Sequence, residues 1–428
     1  MKKIVFFIFI NALLSGVYAQ KISIESILAS VKNDDKIAAN IQNSSFATGL
    51  SYRLPVMKKI DFRLGINGNL TSDTLDGRWR NEDFYALSIS TNNFREMRLQ
   101  NALKPAQLNI YSAENQVFMQ QAILERYQSI LSIFYGKKLY EERSKLKKLF
   151  NEKEDVLRLS LEQGLDIRFK DVVDTENDKN ALAAALLEFE NNIFFQQQRI
   201  KQFLQQTDNQ MIEIDFDAFI LPNQIEQEVA KLKIDPTLSH PIFAFRKAQT
   251  AYSAAEYRLE KAQNRQIFSF LQVAYNPLAY EAFSNTKFKA LNDVNWRLGL
   301  TVPLPANNNY RNSKTALQQK EDEQLAVMTK QLQLKMIEIQ YVKVENLLKS
   351  LRLNEKNTKE SLIKKMLDNP KLTAQITPVE LLDLTISQRK LELRNIELSS
   401  DLSNEYLRLL DMTGAITIYK NRNFLRGN

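Results

Sequence analysis

The stretch Thr377-Pro378-Val379-Glu380-Leu381-Leu382-Asp383 reads as the opening of a helix. Thr377 can cap it, Pro378 fits the first helical position, and Glu380 and Asp383 fall in the first turns, where the helix dipole favours anions. The same order of carboxylate, two aliphatics and carboxylate stands at Asp171-Val172-Val173-Asp174. Glu380 follows Asp171, and Asp383 follows Asp174, at the same separation of 209 residues. An acidic helix start repeated at a fixed distance, in halves that otherwise differ, predicts a duplicated unit.

The text around each start supports a long helical hairpin. Only ten glycines and ten prolines occur in 428 residues, too few for many short loops. From about Pro105 the helical pattern persists for roughly a hundred residues, well beyond an ordinary helix pair. Leu139, Leu146, Leu149 and Val156 mark the outgoing arm, and Leu182, Leu186, Phe189, Ile193, Gln196, Ile200 and Phe203 the return arm. This four-three rhythm is a coiled-coil seam. Gly164 ends the first arm, so Asp171 and Asp174 lie at the hairpin tip. In the second half a helix is expected from Asn312 to about Leu367, a turn at Asp368-Asn369-Pro370, and a return seam through Leu381, Leu384, Gln388, Leu391, Asn395, Leu398 and Leu402.

A pair of strands is expected before each hairpin. Ile60, Phe62, Leu64 and Ile66 alternate with Asp61, Arg63, Gly65 and Asn67. After a polar connection from Ser72 to Asp83, Tyr85, Leu87 and Ile89 alternate with Ala86, Ser88 and Ser90. Ile267 to Tyr275 and Trp296 to Leu304 supply the second pair. Each strand has one apolar and one polar face. A short amphipathic helix is expected over residues 22–31, and no sustained helical period over 36–58, where Leu50 to Leu54 alternates. The resulting division is a signal peptide at 1–19, a first repeat at 20–208, a linker at 209–241, a second repeat at 242–414 and a tail at 415–428.

Several function classes fall away. Met1-Lys2-Lys3, the apolar run from Ile4 to Ile10, and the exit at Val17-Tyr18-Ala19 have the three regions of a secretory signal peptide, with cleavage expected after Ala19. The absence of cysteine excludes a disulfide scaffold, a thiolate metal site and a cysteine nucleophile. Beyond Ala19 no apolar run approaches the ~20 residues of a spanning helix, so any membrane crossing is by strands. The formal charge is +8, of which Lys2 and Lys3 supply two, and the remaining basic residues are interleaved with acids, so no nucleic-acid partner is expected. His240, the one histidine, precedes Pro241 and reads as a helix-start residue. No phosphate loop, Gly-x-Ser-x-Gly or His-Glu-x-x-His occurs, and neither an enzymatic activity nor a cofactor nor a metal is expected.

Four two-faced strands suit a barrel wall between lipid and water, but bacterial single-chain barrels begin at about eight strands, so closure requires further copies. A helix of ~50 residues is about 75 Å long, which carries the hairpins well away from any membrane. With these features the chain resembles the TolC-like outer-membrane efflux proteins over its whole mature length. The resemblance is carried by Leu298-Gly299-Leu300-Thr301-Val302-Pro303-Leu304-Pro305 leading into a helix, by His240-Pro241, and by Val379-Glu380-Leu381-Leu382-Asp383 after the hairpin turn. Departures are His240 where asparagine is common, Asn369-Pro370 and Thr377-Pro378 in place of a glycine-threonine pair at the second tip, and no long helix before the first strand.

The resemblance implies a mainly α fold with a small β part: duplicated α-helical hairpins forming a coiled-coil α-barrel, plus four amphipathic strands contributing to a trimeric 12-stranded transmembrane β-barrel. It implies a homotrimer in the cell outer membrane, in contact with outer-membrane lipid and with a long periplasmic extension. Its tip would dock on a periplasmic adaptor (membrane fusion) protein beneath an inner-membrane pump, as the passive exit of an efflux or type I secretion system. Glu380, Asp383, Asp171 and Asp174 are then candidates for acidic rings at the periplasmic mouth; the alternative is that they only cap helices. Phe84, Tyr85, Tyr275, Tyr280, Phe283, Phe288 and Trp296 are candidates for the aromatic girdle at the membrane interface. The competing class is a periplasmic coiled-coil adaptor or scaffold without its own pore.

Overall fold

The computed structural model describes residues 20–50, 57–71, 78–91, 94–164, 167–206, 212–216, 219–234, 240–263, 268–276, 279–281, 293–300, 305–418 and 422–427. In chain order the elements are β1 (Gln20–Ser23), α1 (Ile24–Ala29), a 3₁₀ turn (Ser30–Asn33), α2 (Asp35–Gly49), β2 (Met57–Thr71), β3 (Arg78–Thr91), α3 (Phe94–Glu162) and α4 (Phe169–Phe203). There follow β4 (Ile212–Asp215), α5 (Pro222–Ile234), α6 (Pro241–Gln263), β5 (Phe268–Asn276), β6 (Ala279–Glu281) and β7 (Asp293–Leu300). The chain continues with α7 (Pro305–Glu360), α8 (Leu362–Leu367), α9 (Pro370–Thr373), α10 (Pro378–Thr413) and α11 (Ala415–Ile418). With 69 residues, α3 is about 100 Å long. Among the described residues no helix is long and apolar enough to cross a membrane.

The chain divides into two compact units, one of residues 1–40, 115–242 and 330–428, the other of 41–114 and 243–329. In the first, the hairpins α3–α4 and α7–α10 lie side by side with α3 against α10. Leu146 and Phe150 of α3 pack on Ile386 of α10, and Tyr135 meets Ser403 at 2.8 Å. The four arms therefore run in the order α4, α3, α10, α7. The core of this unit gathers Ile130, Leu131, Ile200, Val344, Leu351, Leu402, Leu407 and Leu410, with Ile225 from α5 and Leu425 from the tail. The parallel pair β1–β4 adds Ile22, Ile212 and Ile214. The phenol of Tyr127 fastens the tail, donating to the Arg422 carbonyl and accepting from the Phe424 N–H, both at 3.2 Å.

One seam position that is not apolar has partners on the neighbouring arm. Asn395 pairs with Asn354 of α7 at 2.7 Å and with Thr358 at 3.0 Å, a polar pair of the kind that fixes coiled-coil register at some cost in stability. Gly136 lets α3 approach α4 closely, since a Cβ there would lie 3.1 Å from Ile193.

Several expected boundaries move. Residues 36–58 show no sustained helical period and leave helix and extra strands open from sequence; α2 occupies 35–49. Its buried face consists of Ile37, Asn40 and Ala47, too little apolar surface for a hydrophobic period. The Lys104 ammonium closes its C-terminal end, donating to the carbonyls of Thr48 and Leu50 at 2.6 and 3.0 Å. The first long helix starts at Phe94 instead of Pro105; Pro105 lies inside α3, where it and Asn101 are exposed, so water can satisfy the freed carbonyl. Residues 20–23, at the start of the expected short helix, pair as β1, and α1 runs only from Ile24 to Ala29.

The linker region contains a helix, α5, opened by Pro222. The connection read at 72–83 is shorter, because β3 begins at Arg78 in a charged stretch that hides its alternation. In the second half α7 begins at Pro305, seven residues before the expected Asn312, and breaks at Ser361, whose hydroxyl caps α8. A fifth strand, β6, joins the sheet. The signal peptide, most of the Leu50 to Leu54 stretch, Phe283, Phe288 and residues 301–304 lie outside the described residues.

Leu402, fully enclosed in the first unit's core, is a position where truncation is costly. Leu402→Ala should destabilise the chain by about 2–5 kcal/mol, read as a lower denaturant midpoint with an unchanged slope, whereas Leu353→Ala on the exposed side of α7 should change it by under about 0.5 kcal/mol when the chain is dispersed as single copies.

Candidate functional site: a two-faced strand wall and two hairpin tips

The second unit holds an antiparallel sheet in the order β2-β3-β5-β7, with β6 on β3. Its register builds continuous rows across four strands. One row joins Ile60, Ile89, Leu271 and Leu298; the next joins Phe62, Leu87, Val273 and Trp296; a third joins Leu64, Tyr85, Tyr275 and Val294. Ile60, Phe62 and Leu64 are 58–66% exposed, and Leu87, Leu271, Val273 and Leu298 are exposed as well. An apolar face that large and that open is a surface made for something other than water.

The intervening rows join Asp61, Ser88, Gln272 and Arg297, and Arg63, Ala86, Ala274 and Asn295. On this face Lys59 and Asp61 form an ion pair at 2.8 Å. β2, β3, β5 and β7 contain 15, 14, 9 and 8 residues, against the ≈ 9–11 of a transmembrane strand. Among the described residues β2 and β7 each have one neighbour, so the sheet is open at both edges. Opposite Phe270, Gly299 is the position with no room for a side chain: a Cβ there would stand 2.2 Å from the Phe270 ring.

The expected girdle residues fall into different places of this register. Tyr85 and Tyr275 are direct partners, and Trp296 lies opposite Val273 in the middle row. Tyr280 is paired with Asn81 through β6. Phe84 is paired with Gly65, one place along from Tyr85, in the alternate set of rows.

At the tips, which belong to the first unit, the carboxylates are held in three different ways. Thr377 and Glu380 form a capping box: the Glu380 N–H donates to Thr377 Oγ1 at 3.3 Å, and the Thr377 N–H donates to Glu380 Oε2 at 3.0 Å. The backbone N–H and then the hydroxyl of Thr377 hold the Glu380 carboxyl below the usual carboxylate range. Asp383, half exposed, pairs with Lys153 of α3 at 2.6 Å. Asp171 accepts from Arg168 Nε at 3.1 Å within its own helix start, and Asp174 is exposed. Gly164 closes the first arm in the left-handed conformation, at φ +72°.

Sequence reasoning missed the partners of these acids. Lys153–Asp383 is one member of a set joining α3 to α10, with Arg143–Glu397 at 3.1 Å and Glu142–Arg389 at 3.5 Å; Lys390 of α10 reaches Asp178 of α4 at 3.2 Å. In the sequence these charges read as solvated helix faces. The available signal was that they flank the seam positions Leu146, Leu384 and Leu391. Among the described residues no group of three His, Cys, Asp or Glu is arranged to hold a metal ion.

No protein-family model and no curated protein matches the sequence. Solved structures do match. The Neisseria gonorrhoeae MtrE outer membrane channel in its open state aligns over 91% of this chain and 88% of its own, with TM-score 0.62 at 11% identity. CusC aligns over 91% of both chains, with TM-score 0.62 at 9% identity. The Campylobacter jejuni CmeC outer membrane channel aligns over 91% of this chain and 84% of its own, with TM-score 0.60 at 10% identity. The chain thus has the fold of the TolC-like outer-membrane channels, in which long helices accompany a small strand sector. At this level of identity the likeness is one of fold.

Gly299→Val should push the Phe270 ring out of place and break the β5–β7 pairing. The expected outcome is a weaker β-sheet signal and a lower unfolding midpoint in detergent, checked by circular dichroism, while Gly49→Ala, at a site with open space, leaves both unchanged.

Proposed function

We propose that the protein is a passive exit duct of the outer membrane, serving an efflux pump or a type I secretion system whose inner-membrane component supplies the energy. The observation that carries this reading is the strand sheet with an exposed apolar face, a polar opposite face and two open edges. In hydrocarbon every backbone N–H and C=O must be paired within protein, so an open edge has to be closed. Three copies of the four-stranded wall give a closed twelve-stranded barrel with its apolar rows toward lipid and the Arg63 and Asp61 rows toward a water-filled lumen.

The hairpins support the same assembly. The outer arms of the first unit are α4 and α7, and each leaves apolar residues exposed: Leu187, Phe194 and Phe195 on α4, and Leu332, Met336, Ile339 and Val342 on α7. Leu325, Leu332 and Ile339 follow one another at intervals of seven, an exposed seam without a partner among the described residues. Packing the α4 edge of one copy on the α7 edge of the next is a head-to-tail contact that closes into a ring. The internal duplication, the periplasmic extension of the hairpins and docking of the tips on an adaptor protein belong to this reading. Solved proteins of the same fold that are named as outer-membrane channels support it.

The direct test is purification in detergent with mass determination, followed by bilayer recording. A trimer that conducts is expected; a protein that is soluble and monomeric without detergent, or a trimer without conductance, overturns the duct. A second measurement addresses the tips. If Glu380, Asp383, Asp171 and Asp174 ring the mouth, replacing all four by their amides should weaken preference for cations and block by multivalent cations; unchanged selectivity reduces them to helix-capping residues.

A further inference from the structure

We propose that a cavity between α5, α10 and the C-terminal tail binds a small oxyanion, a carboxylate or a phosphate, through the hydroxyl of Tyr406. This goes beyond the duct reading and does not depend on it. The cavity encloses about 90 Å³ within the first unit. At roughly 30 Å³ per water, that is room for about three waters or one compact anion. Its walls come from segments far apart in sequence, held together by the tail: the Ile220 N–H donates to the Leu425 carbonyl at 2.8 Å, and Phe219 bridges Arg426.

Tyr406 of α10 lines this cavity and is 1% exposed. Its hydroxyl has no hydrogen-bond partner among the described residues. The phenol of Tyr127, by contrast, is engaged on both sides by the tail. Buried polar groups are nearly always met, so a lone phenol beside a polar cavity points to an occupant. Glu228 and Arg422, which line the same cavity, are charged groups that act on the Tyr406 hydroxyl. Burial pushes this phenol up, so it keeps its proton and remains a donor.

The charges around the cavity select the sign of that occupant. Lys231, Arg422 and Arg426 line it against one carboxylate, Glu228. Both oxygens of Glu228 are taken: Lys231 Nζ lies 2.9 Å from Oε1, and Arg422 Nη2 lies 2.9 Å from Oε2. Burial opposes the charge on Glu228, and the bonds from Lys231 and Arg422 outweigh it, holding the carboxyl below its usual range. Glu25 stands 3.8 Å from Arg426 Nη1 and already accepts from Asn423 at 2.9 Å. Even with Glu25 counted, three cations face two carboxylates. Water would fill the space and leave that excess unanswered, whereas an oxyanion answers it and accepts from Tyr406. The planar fork of Arg422 suits carboxylate and phosphate oxygens alike.

The test is thermal unfolding of the full chain in detergent, titrated with acetate or with inorganic phosphate against chloride at equal ionic strength. In the natural sequence the midpoint should rise and saturate with at least one of the two oxyanions and not with chloride, and the oxyanion that acts identifies the source. Tyr406→Phe removes the hydroxyl and keeps the buried ring, so in chloride its midpoint should match or exceed that of the natural sequence. Its half-saturating concentration should be at least about tenfold higher, the effect of losing one hydrogen bond to a charged group. Arg422→Gln, at the partly exposed rim, should raise it as well, while Lys349→Gln, an exposed change on α7, should leave it unchanged. A rise that chloride reproduces, or equal half-saturation in the natural sequence and Tyr406→Phe, overturns the proposal. So does the absence of any saturating response, which together with a lower midpoint for Tyr406→Phe in chloride assigns the cavity to water.

Discussion

A β-strand at the edge of a sheet presents a row of unpaired N–H and C=O groups, and the cost of leaving such groups unpaired in an apolar medium is several kcal/mol each. The wall made by β2, β3, β5 and β7 has two such edges and an apolar face that water does not favour. The proposed duct sets its exposed rows against lipid and its edges against further strands. Everything proposed about assembly descends from this conflict: on the duct reading the chain builds a third of a barrel and needs copies of itself.

The helical hairpins meet a different constraint. Arms of this length cannot be held by local propensity and are held by seams. In the first unit the apolar seam is broken at chosen places by polar residues with partners, such as Asn395 with Asn354, and by Gly136, which gives up a side chain so that α3 can approach Ile193. The ion pairs between α3 and α10 sit on partly exposed helix faces, where each contributes about 1 kcal/mol or less. They set which arm lies beside which more than they set stability. The outer arms keep apolar residues uncovered, the same incompleteness that the strand edges show.

The tip carboxylates show how capping and a proposed pore role can fall on one residue. Glu380 spends its oxygens on Thr377, and Asp383 leans on Lys153. Neither contact removes a carboxylate from the tip, so the proposed ring of negative potential and a local capping role are physically compatible. Asp174, exposed and beyond the first turn, is the least constrained of the four.

Periodicity alone was enough for the two hairpins, the four main strands, the polar and apolar faces of those strands, and the acidic helix start at Pro378, because each rests on spacing along one segment. Thr377 to Asp383 was legible to the level of its capping residues. What periodicity could not supply was the helix α2, whose buried face is too small to show a period; the start of α3 before Pro105, where exposure makes a proline tolerable; and the partners of Asp383 and His240, which lie on helices distant in sequence. Those pairings were decided by tertiary structure alone: an ion pair or a hydrogen bond requires two groups within a few ångströms, and only the packing of α3 against α10, with His240 beside Gln120 of α3, brings such groups together.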